Sequence, residues 1–337
     1  MTKPLTFGAI GLDHRHVFGM SQSMIDTGAM FKGWWTIGRP EPLDGFLRRF
    51  PDVPRVATTQ EMLDDPEIDF MVIASIPVDR AAHAIAAMRA GKDVLVDKPG
   101  CTTLEQLNEI MTVQAETGRI WAVDFSERFE VPSMTRAAEL VAEGAIGRVV
   151  HTTGLGPHRL NEASRPDWFF EREKYGGILC DIGSHQIDQF LFLTGNTDAE
   201  IKHAQVANYK NPHHPGLDDF GVIALQAGDA HGYIRVDWYT PDALPTWGDG
   251  RLTILGTEGY IELRKYVDVA GTDGTDHLIL VNGDRCEKLE CSDAGKPFFT
   301  RLSHDINRRT ETAVAQAHTF KSMELAIKAQ MMAEGRL

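Results

Sequence analysis

Between residues 5 and 125, short apolar runs alternate with stretches whose apolar positions recur every three or four residues. Leu5-Thr-Phe-Gly-Ala-Ile10 is the first run; Gly11 ends it, and Met20, Met24 and Ile25 then carry a helical pattern, which opens a strand–helix–strand unit. A second strand is predicted at 34–37, a helix at 43–50 and a strand at 69–75. Asp69-Phe-Met-Val-Ile-Ala-Ser75 lacks the alternation of a half-solvated strand and reads as one covered on both faces. A helix over 81–90, ended by Gly91, and strands at 94–96 and 121–123 complete a set of about five or six parallel strands. The pattern predicts an α/β fold with a doubly wound parallel sheet and a ligand crevice outside the carboxyl ends of its strands.

Past residue 126 the pattern changes. Residues 132–143 read as a connecting helix and 149–154 as a long strand. Strands follow at 221–226, 232–239, 251–255 and 260–263, each with one polar face. A final helix over 316–334 carries Phe320, Met323, Leu325, Ala326 and Met331, which suits packing back on the body. Two domains, 1–126 and 127–337, fit a chain of 337 residues, too long for one core of ordinary size.

The stretch richest in chemistry is 176–193, which reads as one long helix. Asp181, His185 and Asp188 stand at i, i+4 and i+7 and share a face, amid Ile178, Leu179, Ile182, Phe190 and Leu191. Two readings stand side by side. The Asp and His satisfy each other in a core, or the carboxylate holds the imidazole's tautomer and raises its basicity, as a general base requires.

Composition narrows the ligand. With 42% hydrophobic and 24% charged residues the chain is an ordinary globular protein, and a net charge of −14 argues against a nucleic-acid or anionic-membrane surface. A small-molecule substrate is expected. Cys101, Cys180, Cys286 and Cys291 show no CxxC spacing, so neither a disulfide framework nor a zinc ribbon is indicated. The absence of a basic-plus-apolar leader and of any run near 18 apolar residues leads to an expected cytoplasmic location.

The crevice holds a dinucleotide if the first turn has the right glycines. Here it reads Gly11-Leu12-Asp13-His14-Arg15-His16, which keeps only the first glycine of G-x-G-x-x-G. A side chain at Asp13 crowds a pyrophosphate and its charge repels one unless a cation such as Arg15 is near, while the helix N-terminus still attracts phosphate. A domain of this fold that binds no nucleotide is the competing reading. His14 and His16, two apart, do not share a helix face, so no metal site is expected there. After the second strand, Gly38-Arg39 puts a cation where NAD-specific proteins carry an acid, which favours NADP over NAD; alternatively Arg39 is a solvated loop charge and Glu41 reaches the ribose.

Gly8-Ala-Ile-Gly-Leu12, Gly91-Lys-Asp-Val-Leu-Val-Asp-Lys-Pro99, Glu143-Gly-Ala-Ile-Gly-Arg-Val149, Gly176-Gly-Ile-Leu-Cys-Asp-Ile-Gly-Ser-His185 and Ile254-Leu-Gly-Thr-Glu-Gly-Tyr-Ile-Glu262, in that order, resemble the glucose-fructose oxidoreductase / inositol dehydrogenase (Gfo/Idh/MocA) family. The resemblance implies an N-terminal Rossmann domain, a C-terminal α/β domain on an open, largely antiparallel sheet, and NAD(P)-dependent oxidation of a sugar, polyol or related alcohol. It places Lys98 beside nicotinamide and substrate, makes Asp181 and His185 the family's Asp-x-x-x-His with His185 as base, and puts cofactor contacts at Ser75, Ile76, Pro77 and Asp97. A homodimer or homotetramer through the C-terminal sheet is implied as well.

The chemistry of these residue types agrees: alcohol oxidation needs a base for the hydroxyl proton and a cation for developing alkoxide charge. The chain departs from the family at Asp97, where a glutamate is usual, and at Pro77-Val-Asp-Arg-Ala81, which lacks the family's Asn and His. Two alternatives follow: a retained cofactor serving elimination or glycoside cleavage without net redox, or a ligand-binding relative without catalysis. The loop 156–170, with His158, Arg159, Arg165 and Trp168, is the expected specificity loop: arginines suit acidic groups and a tryptophan suits a sugar face. A surface Arg165 paired to Glu171 or Asp167 is the plain alternative. His213 and His214 lack metal-ligand spacing and are read as a loop near the substrate mouth. The Pro/Gly-rich loop 240–250 has no assigned role.

Overall fold

The structure, a computed structural model, describes residues 4–337. Five parallel strands, β1 (Thr6–Leu12), β2 (Met30–Trp35), β3 (Phe70–Ala74), β4 (Asp93–Asp97) and β5 (Trp121–Asp124), lie in the order β2-β1-β3-β4-β5. β1, β3, β4 and β5 are buried along their whole lengths, as continuous apolar runs require. β2 begins four residues before the predicted 34–37. It is an edge strand paired from Thr6↔Met30, with Met30 55% exposed, so its apolar signal is diluted by solvent. The helix predicted over 81–90 runs Pro77–Arg89: Pro77 takes the first turn, where its missing N–H costs nothing. A short helix, Thr59–Leu63, was not foreseen; Thr58 and Glu61 form its capping box.

Close contacts divide the chain into two units. The first takes in the chain up to Asp124, Ser164–Gly176 and Pro297–Met323; the second is Phe125–Ala163, Gly177–Lys296 and Glu324–Leu337. Distant segments therefore complete the first unit. Gln316 accepts the Trp121 N–H (2.9 Å) and donates to the Trp121 carbonyl (3.2 Å), standing in for a sixth strand at the β5 edge. Arg309 binds both oxygens of the buried Asp93 (2.7 and 2.6 Å), which also accepts the Ile120 N–H.

The second unit is built on a sheet of eight strands: β6 (Val149–Pro157), β7 (Ala199–Ala207), β8 (Phe220–Ala227), β9 (Ala230–Asp237), β10 (Arg251–Gly256), β11 (Gly259–Arg264), β12 (His277–Asn282) and β13 (Cys286–Leu289). Their order is β13-β12-β11-β10-β6-β9-β8-β7, and every neighbouring pair is antiparallel except β6 with β9. One face is packed. Helix Pro132–Ala142 brings Met134, Ala137 and Leu140 onto Leu252, Ile261, Leu263 and Leu280 in one apolar cluster. The other face keeps Tyr233, Leu255 and Tyr260 about two-fifths exposed.

The stretch expected as one helix is two, Ile178–Asp181 and Gly183–Thr194, broken at Ile182. Ser184 Oγ donates to the Asp181 carbonyl, and the His185 N–H bonds one residue short of the α-helical partner, to the Ile182 carbonyl. A hydroxyl competing for the helical acceptor, together with a glycine at 183, accounts for the break. Gly154 and Gly156 on β6 let the longer helix lie close: a Cβ at either would come within 3.0 Å of Gln186.

Candidate active site

In the first unit the candidate site gathers at the carboxyl ends of β1, β3 and β4. Gly11 has φ 78°, and a Cβ there would sit 2.4 Å from the Ser75 Cα, so only glycine lets the turn close onto β3. Leu12 is fully buried at the end of β1, and the Asp13 and His14 N–H groups both donate to the Ala74 carbonyl. Burial pushes the Asp13 carboxyl up to about 6 against the opposing pull of Arg80. Ser75 Oγ, buried beside Gly11, has no hydrogen-bond partner among the described residues. Ile76 and Pro77 form the joint from β3 into the helix that follows.

Asp97 is the hub of this end. His14 Nδ1 and His16 Nδ1 each lie 2.8 Å from one of its oxygens, and Arg80 donates to it at 2.7 Å. Burial alone would raise the Asp97 carboxyl; Arg80 and the two imidazoles outweigh it and hold it well below the usual range. His14 is itself pushed down to about 4 by burial, with Asp97 opposing. The expectation that His14 and His16 face apart is corrected: the helix begins only at His16, so His14 lies in the turn and both rings reach Asp97.

Arg80 is what the sequence reading missed, having been taken only as a departure from the family's pattern. Fully buried, it donates to the carbonyls of Ser75, Asp97, Lys98 and Pro99 and so fixes the chain on both sides of Lys98, whose residue is 5% exposed. An arginine in the first turn of an otherwise small-residue helix, directly after a continuous apolar strand, was the available signal.

At the end of β2, Arg39 follows Gly38 (φ 60°) and pairs with Asp44 across a well-exposed surface, while Arg15 pairs with Glu41. The helix His16–Asp26 has neither a side-chain N-cap nor an acid in its first turn. That uncapped N-terminus, the Gly11 turn and the orphaned Ser75 hydroxyl fit a dinucleotide; the Asp13 carboxyl and the Asp13 and His14 amides already donated to Ala74 oppose it.

In the second unit, His185 is 2% and Asp181 8% exposed, with the Phe125 ring 6.4 Å from the imidazole. Asp188, the third member of the predicted face, is held bidentately by Arg128 (2.6 and 2.7 Å) and is structural. Sequence reasoning missed Glu127. Its Oε2 accepts from Lys265 (2.7 Å) and Gln186 (2.9 Å), all buried, and its Oε1 has no partner among the described residues. Burial would raise Glu127, but Lys265, then His185 and His158, bring it down to about 2. The buried Lys265 offered no motif, and its pairing spans 138 positions.

The expected specificity loop is divided. His158 packs on Trp238 and Trp247, and Arg159 donates to the Pro241 and Leu244 carbonyls, so Arg159 anchors the 240–250 loop. Those residues belong to the second unit, whereas Arg165 and Trp168 belong to the first, where the Arg165 guanidinium lies 4.4 Å over Phe169. His213 and His214 both meet Glu162 (2.9 and 3.0 Å), a carboxylate about fifty positions away that their spacing alone did not bring in.

A family model described as "Oxidoreductase family, NAD-binding Rossmann fold" matches residues 41–125, and one described as "GFO/IDH/MocA C-terminal domain" matches 134–262. The 1,5-anhydro-D-fructose reductase of Ensifer adhaerens is 30% identical over 181 residues, 51% of this chain and 52% of that protein. The NAD(+)-type scyllo-inositol 2-dehydrogenase of Bacillus subtilis (strain 168) is 25% identical over 78% of each chain. Matches to the first of these curated relatives span about half their length. A crystal structure from Erwinia carotovora atroseptica SCRI1043, named only provisionally as an oxidoreductase, is 48% identical over 98% of both chains with a TM-score of 0.95. With models for both halves and a relative matched from end to end, the chain belongs to the Gfo/Idh/MocA family of oxidoreductases.

Proposed function

We propose that the protein is an NAD(P)-dependent dehydrogenase acting on a secondary alcohol of a sugar, polyol or related hydroxylated molecule. The observation that carries the reading is Lys98, held at the carboxyl end of a parallel-sheet strand by a buried arginine that grips the carbonyls around it. The nicotinamide, when bound, supplies the hydride acceptor. The Gly11–His16 turn, Ser75, Ile76, Pro77 and the N-terminus of helix His16–Asp26 hold the dinucleotide. By the family motif His185 takes the hydroxyl proton, Asp181 orients His185 or that hydroxyl, and Lys98 is the cation for developing alkoxide charge. Glu127 keeps an anion in the same unit that favours the protonated imidazole. Arg39, whose pair with Asp44 is exposed, is the cation for a 2′-phosphate, which favours NADP over NAD.

The Asp13 and His14 amides spent on Ala74 favour a second reading, a scaffold that takes no nucleotide. One titration decides between them. Nicotinamide fluorescence should show saturable binding of NADPH, tighter than NADH, with Arg39→Ala narrowing the difference; if neither binds and denaturation releases no nucleotide, the dehydrogenase reading fails. His185→Asn should cut alcohol oxidation by about 100-fold or more while leaving cofactor affinity intact. A homodimer or homotetramer through the open face of the eight-stranded sheet, where Tyr233, Leu255 and Tyr260 are exposed, and a cytoplasmic setting belong to the same proposal. Among the described residues no helix is long and apolar enough to cross a membrane.

A further inference from the structure

Among the described residues two clusters bring three metal-ligating side chains together: His14, His16 and Asp97 in the first unit, and Glu162, His213 and His214 in the second. They differ in one decisive respect. Asp97 already shares an oxygen with the buried Arg80 guanidinium, a fixed cation that opposes a metal ion at the same point. Among the described residues no such competing cation is bound to Glu162. Its Oε1 lies 2.9 Å from His213 Nε2 and 3.0 Å from His214 Nε2, and all three donor atoms lie within 4.8 Å of one another. Three ligands each about 2.1 Å from one ion stand roughly 2.9–3.5 Å apart, so a small adjustment would admit an ion among them. One carboxylate oxygen accepts from both rings only if each imidazole carries its proton on Nε2; an ion at that point uses the nitrogen lone pairs instead.

The histidines are held in place by a built turn. Asn208 accepts the Asn211 N–H and donates to the Asn211 and His214 carbonyls, all at 2.9 Å. Asp219, fully buried, accepts from the Tyr209 and Lys210 N–H groups, from the Asn211 side chain and from the Tyr239 hydroxyl. This network orders the backbone that carries two adjacent imidazoles before any ligand arrives. The three side chains are 46%, 56% and 25% exposed for Glu162, His213 and His214, so an ion can enter and keep water in its remaining positions.

We propose that Glu162, His213 and His214 form a surface site for a divalent transition metal ion of the zinc type, with two imidazole nitrogens and one carboxylate oxygen as protein ligands. Two imidazoles and a carboxylate suit zinc, nickel or copper over magnesium or calcium, which prefer all-oxygen sites. Bound there, the ion ties the short stretch after β6, which carries Arg159, to the turn after β7. The proposal does not rest on the dehydrogenase reading.

The test is calorimetric titration of tag-free, chelator-stripped full-length protein with zinc. One equivalent should bind, and His213→Ala, His214→Ala and Glu162→Gln should each weaken it by about tenfold or more, while His16→Ala leaves it unchanged. Copper(II) EPR gives a second readout independent of affinity: the wild-type spectrum should carry hyperfine structure from two nitrogens, reduced to one by His214→Ala. No stoichiometric binding, binding that survives the double variant His213→Ala/His214→Ala, or binding lost on His16→Ala would each overturn the proposal.

Discussion

Asp13 shows how one residue sets the terms for the cofactor crevice. In an unfolded chain its carboxyl titrates near 3.8, and burial raises it to about 6 in the fold. Folding therefore takes up a proton between those values, and the cost of burying the charge is absent below about pH 4 and complete above about pH 6. Asp13→Asn should accordingly stabilise the protein at pH 7.5 by about 1–3 kcal/mol in urea denaturation, with the gain vanishing as the pH falls toward 4. It should also tighten NADPH, since a neutral amide does not repel a pyrophosphate. A gain equal at pH 4 and pH 7.5 would mean that the carboxyl's charge is not what burial penalises. In sequence the residue showed only as a missing glycine. Its titration depends on neighbours such as Asp79 and Arg80, about 65 positions away in the chain and brought close by the β1–β3 pairing.

At the scale of elements, the relation of helix Gly183–Thr194 to β6 was legible only in part. The helix and the strand each announced themselves by period, and the Asp181-x-x-x-His185 spacing was plain in the sequence. The break at Ile182 was not, because it comes from a side chain, Ser184, choosing a backbone acceptor that helix propensity assigns to an amide. Nor was the role of Gly154 and Gly156, which turn out to be the floor on which Gln186 rests. Gly156→Val should destabilise the second unit by about 1–3 kcal/mol, since the added methyls meet Gln186 and Ile182, whereas Thr153→Val, on the alternate face of the strand, should change stability by under about 0.5 kcal/mol. Equal effects at the two positions would show that the helix is not seated on those glycines. The same contrast explains why the Lys265–Glu127 pair escaped notice: each is an ordinary charged residue until the fold removes both from water.

For the whole molecule, alternating apolar runs disclosed the parallel sheet, the later strands disclosed the second sheet, and five motifs disclosed the family. The composition of the two units was hidden, because contacts as distant as Trp121 with Gln316 carry no local periodic signal. Arg309→Ala should lower stability by about 1–3 kcal/mol by leaving the buried Asp93 short of two bonds, read as an earlier urea transition in the first unit; an unchanged transition would assign that contact no weight. The use of Gln316 as a plug for the β5 edge also has a consequence in time. A ribosome adding about 5–20 residues per second needs on the order of 10–40 s to travel the 195 positions from Trp121 to Gln316. Throughout that interval the nascent first unit presents a bare strand edge to its surroundings, so its exposure to chaperones and to neighbouring chains on the same messenger is set by the pace of translation through the second unit.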